Sequence, residues 1–291
     1  MGGSNGATAW RRIDAGGVST NYAVAGRGRP VLFLHGWGLG HRTYNRPLGM
    51  LTRRGCRVLA PSLPGFGGTE PLPRQRRTLA GYGWWVASFL EAVGVDDPVI
   101  VVGHSFGGGV GVTYAHQNPE AVRYLVLVNS VGGANTRHAA GRPGYVGGRP
   151  LWSWMIQFGR ELLPPDKGAR LIADMWSDLA ANLRRHPRDL LEVGKLAANA
   201  DLLGELEDLR EKGVPVLALR GHSDGVVPLA AFEAMCAAIG TPGRIVVGNH
   251  SFLLADPRAL DEVMANLLSV GAPPDGRGVL SQAALSSGDP A

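Results

Sequence analysis

Short, continuous apolar runs separated by helical patterns are the feature that most constrains how this chain folds. Runs without polar alternation are typical of strands that are buried on both faces of a parallel sheet. Helical patterns lie between the runs, for example at 79–93, where Thr78 is placed to cap the first turn, and at 229–239. This alternation indicates βαβ units with right-handed crossovers. We predict an opening hairpin at 10–25 and buried strands at 30–34, 57–60, 98–102, 124–128, 215–219 and 244–247.

The alternation breaks in one place only. Residues 135–212 begin with a Gly-rich stretch and continue with a helical pattern that is rich in tryptophan and leucine. We interpret this segment as a helical cap inserted between two strands of an α/β core. The remaining ranges are predicted to be a flexible N-terminus (1–9), the two parts of the core (10–134 and 213–270) and a disordered tail (271–291).

Composition narrows the classes of partner. The 291 residues are 45% apolar and 18% charged, which is typical of a globular protein. The net charge is +5, but no stretch interleaves basic and aromatic residues as a nucleic-acid interface does. No apolar segment approaches the ~20 residues that span a bilayer, and residues 1–9 lack the apolar run of a signal peptide. We therefore expect a cytoplasmic protein with no membrane span and no nucleic-acid partner.

The cysteines and histidines show no pattern of cofactor chemistry. Cys56 enters an apolar strand and Cys236 lies on a predicted helix, so we expect buried free thiols rather than a disulfide. No Cys/His spacing is typical of a metal site. The sequence predicts neither a metal nor a cofactor.

A candidate nucleophile follows the strand predicted at 98–102. Residues Gly103, Ser105 and Gly107 fit a G-x-S-x-G pattern, with a strand before it and a helix after it. A serine in such a tight turn is held above the sheet edge, at the amino end of a helix whose dipole favours negative charge. The alternative is a Gly-rich turn in which the serine merely caps the helix.

A serine hydroxyl becomes a useful nucleophile only when a base takes its proton. His250 follows the last predicted strand and is the best candidate, whereas His104 is expected to point away from Ser105. Asp224 follows the preceding strand and would orient the imidazole, although a turn aspartate capping the next helix is a competing interpretation. The strand before the cap ends at Asn129, which leaves Asp224 with little competition. The order Ser105, Asp224, His250 is the one expected for a G-x-S-x-G hydrolase.

Two backbone N–H groups are predicted to donate hydrogen bonds to the oxyanion of the tetrahedral intermediate, which forms when the serine attacks a carbonyl group. The N–H of Phe106 directly follows the serine, and the N–H of Trp37 lies in the loop after the strand at 30–34. His35, Gly36 and Gly38 flank Trp37, and the two glycines permit an unusual backbone. The alternative, a sharp strand exit, explains the glycines but not their pairing with the serine turn.

Together these motifs resemble the α/β-hydrolase family over residues 10–270. That resemblance implies an eight-stranded, mostly parallel sheet, a cap after the sixth strand and a pocket between the two. Ser62 stands where family members commonly carry aspartate, which affects a supporting contact. The family's epoxide hydrolases and haloalkane dehalogenases use an aspartate nucleophile, and Ser105 argues against both. The motifs that carry the resemblance are His35-Gly36-Trp37-Gly38, the Pro64–Gly67 turn, Gly103–Gly107, Asp224 and His250.

The function implied is hydrolysis of a carboxylic ester or lactone through an acyl-enzyme, with an apolar small-molecule substrate suggested by Trp152, Trp154 and Trp176 of the predicted cap. Carbon–carbon bond hydrolysis of a diketone-like substrate is an alternative that uses the same three side chains. Cofactor-free perhydrolysis and acyl transfer are others, although Phe106 replaces the methionine usual in the perhydrolases. A ligand-binding module on the same fold is the non-enzyme alternative.

Overall fold

The computed structural model describes residues 8–133 and 169–269. The predicted disordered tail at 271–291, the first part of the predicted cap and nearly all of the predicted flexible N-terminus lie outside the described residues.

An eight-stranded sheet forms the centre of the structure, in the order β1-β2-β4-β3-β5-β6-β7-β8. The first two strands form the predicted hairpin, β2 also pairs antiparallel with β4, and every other pairing is parallel. This confirms the predicted α/β architecture. The strands are β1 (Ala9–Ala15), β2 (Val18–Ala25), β3 (Arg29–Leu34), β4 (Cys56–Pro61), β5 (Val99–His104), β6 (Val122–Val128), β7 (Val216–Gly221) and β8 (Arg244–Val246).

Helices cover both faces of the sheet. Thr78 caps the predicted helix by accepting a hydrogen bond from the N–H of Gly81. The helices of the described residues are α1 (Asn45–Arg53), α2 (Leu79–Ala92), α3 (Phe106–Gln117), α4 (Ala169–Arg185), α5 (Pro187–Ala198), α6 (Leu203–Glu211), α7 (Leu229–Ile239), α8 (Phe252–Ala255) and α9 (Arg258–Ser269), with 3-10 turns at His41–Tyr44, Arg74–Arg76 and Pro119–Ala121.

The apolar runs are continuous because successive side chains of a central strand enter different cores. In β5, Val99 and Val101 join the core beneath α2 and α3, whereas Ile100 and Val102 join the core on the opposite face. All four are at most 1% exposed. A strand with two buried faces has no position left for a polar side chain, which is why these runs lack alternation.

Helices α4 to α6 lie between β6 and β7 in the chain, where the cap is predicted. The last of them, α6, packs against α3 and α7 of the core, and its Leu206 and Leu209 are fully buried there. Among the described residues, no helix is both long and apolar enough to cross a membrane. Both cysteines are free thiols, but only Cys56 is buried; Cys236 is half-buried.

Candidate active site

The turn between β5 and α3 holds Ser105 in a strained conformation. Its φ of 53° and ψ of −119° are unusual for a residue with a side chain. The flanking glycines are required by close backbone contacts: a Cβ at Gly103 would lie 2.5 Å from the Cα of Gly108, and one at Gly107 would lie 2.3 Å from the oxygen of Leu34. The turn therefore presents the serine hydroxyl at the carboxyl edge of the sheet.

The structure brings the three side chains of the predicted catalytic set together in one buried line. The Nε2 atom of His250 lies 3.0 Å from Oγ of Ser105, and its Nδ1 atom lies 3.0 Å from Oδ2 of Asp224. His250 follows β8 and Asp224 follows β7, so the parallel sheet delivers both to the edge where Ser105 stands. The imidazole and the carboxylate are almost fully buried.

These contacts determine which nitrogen of His250 carries the proton. An ionised carboxylate only accepts hydrogen bonds, so Nδ1–H donates to Asp224. Nε2 is then an acceptor and faces the hydroxyl of Ser105, which is the arrangement that a general base requires. The other oxygen of Asp224 accepts hydrogen bonds from the N–H groups of Val226 and Val227, at 2.8 and 2.9 Å.

A buried arginine organises the loop that carries Asp224. Arg220 is 5% exposed, and its guanidinium donates to the carbonyl oxygens of Gly221, His222, Asp224 and Val227 at 2.9–3.2 Å. These four hydrogen bonds fold the loop around the guanidinium group of Arg220. Sequence reasoning missed this residue, although a charged residue at the end of an apolar strand run was a usable signal.

The loop at residues 35–40, which follows β3, lies against the serine. A Cβ at Gly36 would be 3.3 Å from the Cβ of Ser105, and Gly38 has a φ of +77°, which favours glycine. Trp37, a predicted oxyanion donor, lies between these two glycines. The other predicted donor, Phe106, is the first residue of α3, and the first N–H groups of a helix have no partner inside the helix.

His35 anchors this loop to the chain after β4. The N–H of Leu63 donates to Nε2 of His35, so Nδ1 carries the proton and donates to the oxygen of Gly36; both distances are 2.8 Å. Full burial lowers the pKa of His35 to about 4, and the ring therefore stays neutral. The nearby Ser62 is buried and packs closely on Gly67, where an added Cβ would lie 2.1 Å from its hydroxyl oxygen.

Helices α4 and α5 hold the same loop from the other side. The indole N–H of Trp37 donates to the oxygen of Leu190 at 2.8 Å. The side-chain amide of Asn182 donates to the oxygen of Gly38 at 3.0 Å and accepts from the N–H of Gly67 at 2.9 Å. The segment predicted to be a cap is therefore hydrogen-bonded to the loop that carries Trp37.

Asp178, one turn before Asn182 on α4, makes a further contact of this kind. Its Oδ2 atom accepts hydrogen bonds from the N–H of Gly40, at 3.0 Å, and from the hydroxyl of Thr43. Burial raises the pKa of this carboxyl group above its usual value. Neither Asp178 nor Asn182 carries a sequence signal that distinguishes it from other polar residues on an amphipathic helix.

A polar cleft of about 450 Å³ lies on the outer side of these contacts, between α4 and the core. Arg12, Arg42, Glu70, Asp178 and Arg185 are among its lining residues, and the Ser105–His250–Asp224 line is not. Within residues 8–133 and 169–269, no group of three His, Cys, Asp or Glu side chains is arranged to hold a metal ion. Trp176 of the predicted cap is 44% exposed, while Trp152 and Trp154 lie outside the described residues.

A family model described as the alpha/beta hydrolase fold matches residues 29–257. The chain belongs to this α/β-hydrolase family.

Individual relatives show how the similarity is distributed. The 2-hydroxy-6-oxo-2,4-heptadienoate hydrolase of Pseudomonas putida is 38% identical over 127 residues, which is 42% of this chain and 45% of that protein. The chain thus spans under half the length of this relative. The pimeloyl-[acyl-carrier protein] methyl ester esterase of Aromatoleum aromaticum is 29% identical over 218 residues, 70% of this chain and 82% of that protein. The crystal structure of an esterase from Rhodococcus sp. ECU1013 superposes with a TM-score of 0.69 at 27% identity, covering 90% of this chain and 99% of that one.

Proposed function

We propose that the protein is a serine hydrolase that cleaves a carboxylic ester or lactone of an apolar small molecule through an acyl-enzyme. The observation that carries this proposal is the buried line from the hydroxyl of Ser105 through His250 to Asp224, with 3.0 Å at each step. A base oriented by a third group and in contact with a hydroxyl is the arrangement that activates a serine.

In the first half-reaction, Oγ of Ser105 attacks the carbonyl carbon while Nε2 of His250 takes the hydroxyl proton. The carbonyl oxygen becomes an oxyanion, and the N–H groups of Phe106 and Trp37 stabilise it. Asp224 stabilises the imidazolium that forms. When the tetrahedral intermediate collapses, the bond to the leaving oxygen breaks and that oxygen takes the proton from Nε2, which releases the alcohol and leaves an acyl-serine.

The second half-reaction repeats these steps with water. His250 takes a proton from water, and the hydroxide oxygen attacks the acyl carbon. The same two N–H groups receive the oxyanion. Collapse breaks the bond to Oγ of Ser105, which recovers its proton from Nε2 as the carboxylic acid leaves. No step needs a cofactor.

Carbon–carbon bond hydrolysis is the second candidate, because several relatives that are 36–38% identical over about two fifths of the chain are hydrolases of 2-hydroxy-6-oxo-dienoates and related compounds. The esterase relative, which aligns with more of the chain, favours ester cleavage. A series of p-nitrophenyl esters assayed beside a vinylogous diketone separates the two. A kcat/KM that is higher for the diketone than for the esters would overturn the ester proposal in favour of carbon–carbon bond hydrolysis.

The Ser105→Ala variant tests the nucleophile. We expect the turnover of a p-nitrophenyl ester to fall by ~10³-fold or more, as in other serine enzymes that lose the nucleophile. Ser269→Ala, on the exposed face of α9, is the matched control and should keep wild-type turnover. A fluorophosphonate probe should label the wild-type protein at Ser105. Unchanged turnover in Ser105→Ala would remove the assignment of Ser105 as the nucleophile. A folded wild-type protein that resists the probe would favour the ligand-binding alternative.

A further inference from the structure

A chain of buried hydrogen bonds crosses beneath Ser105 and joins the two loops that flank it. The N–H of Gly36 lies 2.9 Å from the hydroxyl oxygen of Tyr44, and that hydroxyl lies 2.8 Å from Nδ1 of His104. The Nε2 atom of His104 lies 2.9 Å from the main-chain oxygen of His250. Sequence reasoning set His104 aside, and Tyr44 has no motif that distinguishes it.

The donor and the acceptor of each hydrogen bond in this series follow from the backbone groups at its two ends, the N–H of Gly36 and the carbonyl oxygen of His250. A carbonyl oxygen only accepts, so His104 donates through Nε2–H to His250. The hydroxyl of Tyr44 has one proton to donate, and Nδ1 of His104, the nitrogen that does not donate to His250, is the acceptor that faces it. The Tyr44 oxygen in turn accepts the N–H of Gly36. Burial raises the pKa of Tyr44, which keeps the hydroxyl proton in place for this role.

Both side chains are enclosed by other rings. Tyr44 is 0% exposed and His104 is 2% exposed. The Tyr44 ring lies 5.1 Å from the ring of Phe33 and 5.6 Å from that of His104, which lies 5.2 Å from the ring of His250. In such surroundings a polar group that loses its partner cannot turn to bulk water instead, so the geometry of the chain is tightly determined.

The two ends of this hydrogen-bonded series belong to the two parts of the site that must keep a fixed separation. A Cβ at Gly36 would lie 3.0 Å from Nδ1 of His104, 3.1 Å from the Tyr44 hydroxyl and 3.3 Å from the Cβ of Ser105, so this backbone is packed directly on the serine. Trp37, whose N–H is a proposed oxyanion donor, is the next residue. At the other end, the carbonyl group belongs to His250, the proposed base.

Asn129 reinforces the His250 end of this chain. Its side-chain amide donates to the main-chain oxygen of His250 at 2.7 Å, and its Oδ1 atom accepts the N–H of Gly221 at 2.8 Å. The residue has a φ of +46°, a conformation that asparagine tolerates better than most residues with a side chain. The same carbonyl oxygen therefore receives two side-chain donors, one from β5 and one from the end of β6.

We propose that Tyr44 and His104 are positioning residues, which set the distance between the loop that carries Trp37 and the loop that carries His250. Their hydrogen bonds run to the main-chain N–H of Gly36 at one end and to the main-chain oxygen of His250 at the other. They act by holding the oxyanion donor and the base on opposite sides of Ser105 in the geometry that both half-reactions need. This inference rests on the proposed hydrolase function.

The Tyr44→Phe variant removes one oxygen atom and with it both hydrogen bonds of the tyrosine. We expect kcat for a p-nitrophenyl ester to fall about 10- to 100-fold with KM changed less than about threefold, because the loss falls on transition-state contacts. Inhibition by a trifluoromethyl ketone, whose adduct mimics the oxyanion, should weaken by a similar factor. Thr20→Val is the matched control, because it deletes a buried hydroxyl that binds Trp85 and Val18 away from the site. It should lower the melting temperature and leave kcat unchanged.

A second pair of variants and a spectroscopic signal keep the test independent of any one substitution. His104→Gln retains a donor and an acceptor and should keep more activity than His104→Leu. The proton that His250 donates to Asp224 should give a far-downfield NMR signal, which we expect to shift or broaden in Tyr44→Phe and to stay in place in Thr20→Val.

Each outcome bears on one proposal. Wild-type kcat together with an unchanged downfield signal in Tyr44→Phe, or equal activities for the two His104 variants if Tyr44→Phe does not fold, would overturn the positioning role. Failure of the hydrolase proposal looks different, because Ser105→Ala would then be as active as the wild type.

Discussion

The substitution Asp224→Asn reverses a hydrogen bond without changing the shape of the side chain. In the native protein, Oδ1 accepts the N–H groups of Val226 and Val227, and Oδ2 accepts Nδ1–H of His250. An asparagine has one oxygen for these three donors. The orientation of the asparagine amide therefore depends on which hydrogen bonds cost more free energy when they are lost to the NH₂ group, those of the two valine N–H groups or that of His250.

The structure settles that competition in favour of the backbone. Turning the amide so that its oxygen faces His250 would place NH₂ against two buried N–H donors, and each lost hydrogen bond costs about 1–3 kcal/mol. The NH₂ group therefore faces His250, where it donates to Nδ1 and moves the imidazole proton to Nε2. That nitrogen then cannot accept the proton of Ser105. The same substitution in the chymotrypsin-type triad lowers kcat about 10⁴-fold. We expect a loss of about 10³- to 10⁴-fold here, which corresponds to about 4–5.5 kcal/mol in the barrier.

Steady-state hydrolysis of a p-nitrophenyl ester at pH 7 measures the effect, with a thermal melt to show that the variant is folded. Asp14→Asn is the matched control, since Asp14 also accepts a backbone N–H, that of Gly17, but in the hairpin far from the site. It should keep wild-type kcat. A folded Asp224→Asn variant within tenfold of the wild type would refute the argument that the two valine amides dictate the orientation.

Two further predictions concern the framework of the site. Gly107→Ala should sharply lower both stability and fluorophosphonate labelling, because the added Cβ would lie 2.3 Å from the main-chain oxygen of Leu34. Gly204→Ala, which has open space around the added Cβ, should instead raise the free energy of unfolding in urea by about 0.5–1 kcal/mol. Equal effects of the two substitutions would contradict the steric argument. His35 should make the protein acid-sensitive. Its pKa is lowered from 6.5 to about 4, so the unfolded chain binds a proton that the folded protein does not. Stability is then complete above pH 6.5 and falls by up to about 3 kcal/mol as the pH drops to 4. The His35→Gln variant should show a flatter dependence in urea melts over this range, and identical slopes would rule out His35 as the source.

The sequence by itself determined the sheet and its order of elements. Runs such as Val99–Val102 are apolar without alternation because both faces of a central strand are buried, and that requirement can be read from the side chains alone. The prediction of Ser105, Asp224 and His250 as the catalytic residues also rests on local sequence. Each follows a predicted strand, and parallel strands that share an edge bring such residues together whatever the details of the loops.

Only the tertiary structure decided what surrounds those side chains. The hydrogen bonds that His104 makes with the hydroxyl of Tyr44 and with the main-chain oxygen of His250 join residues that lie far apart in the chain. The contacts of Asp178 and Asn182 with the 35–40 loop are of the same kind. A pattern of apolar and polar residues records which side chains are buried. It does not record which donor meets which acceptor, because that pairing is determined by how the loops close over the sheet.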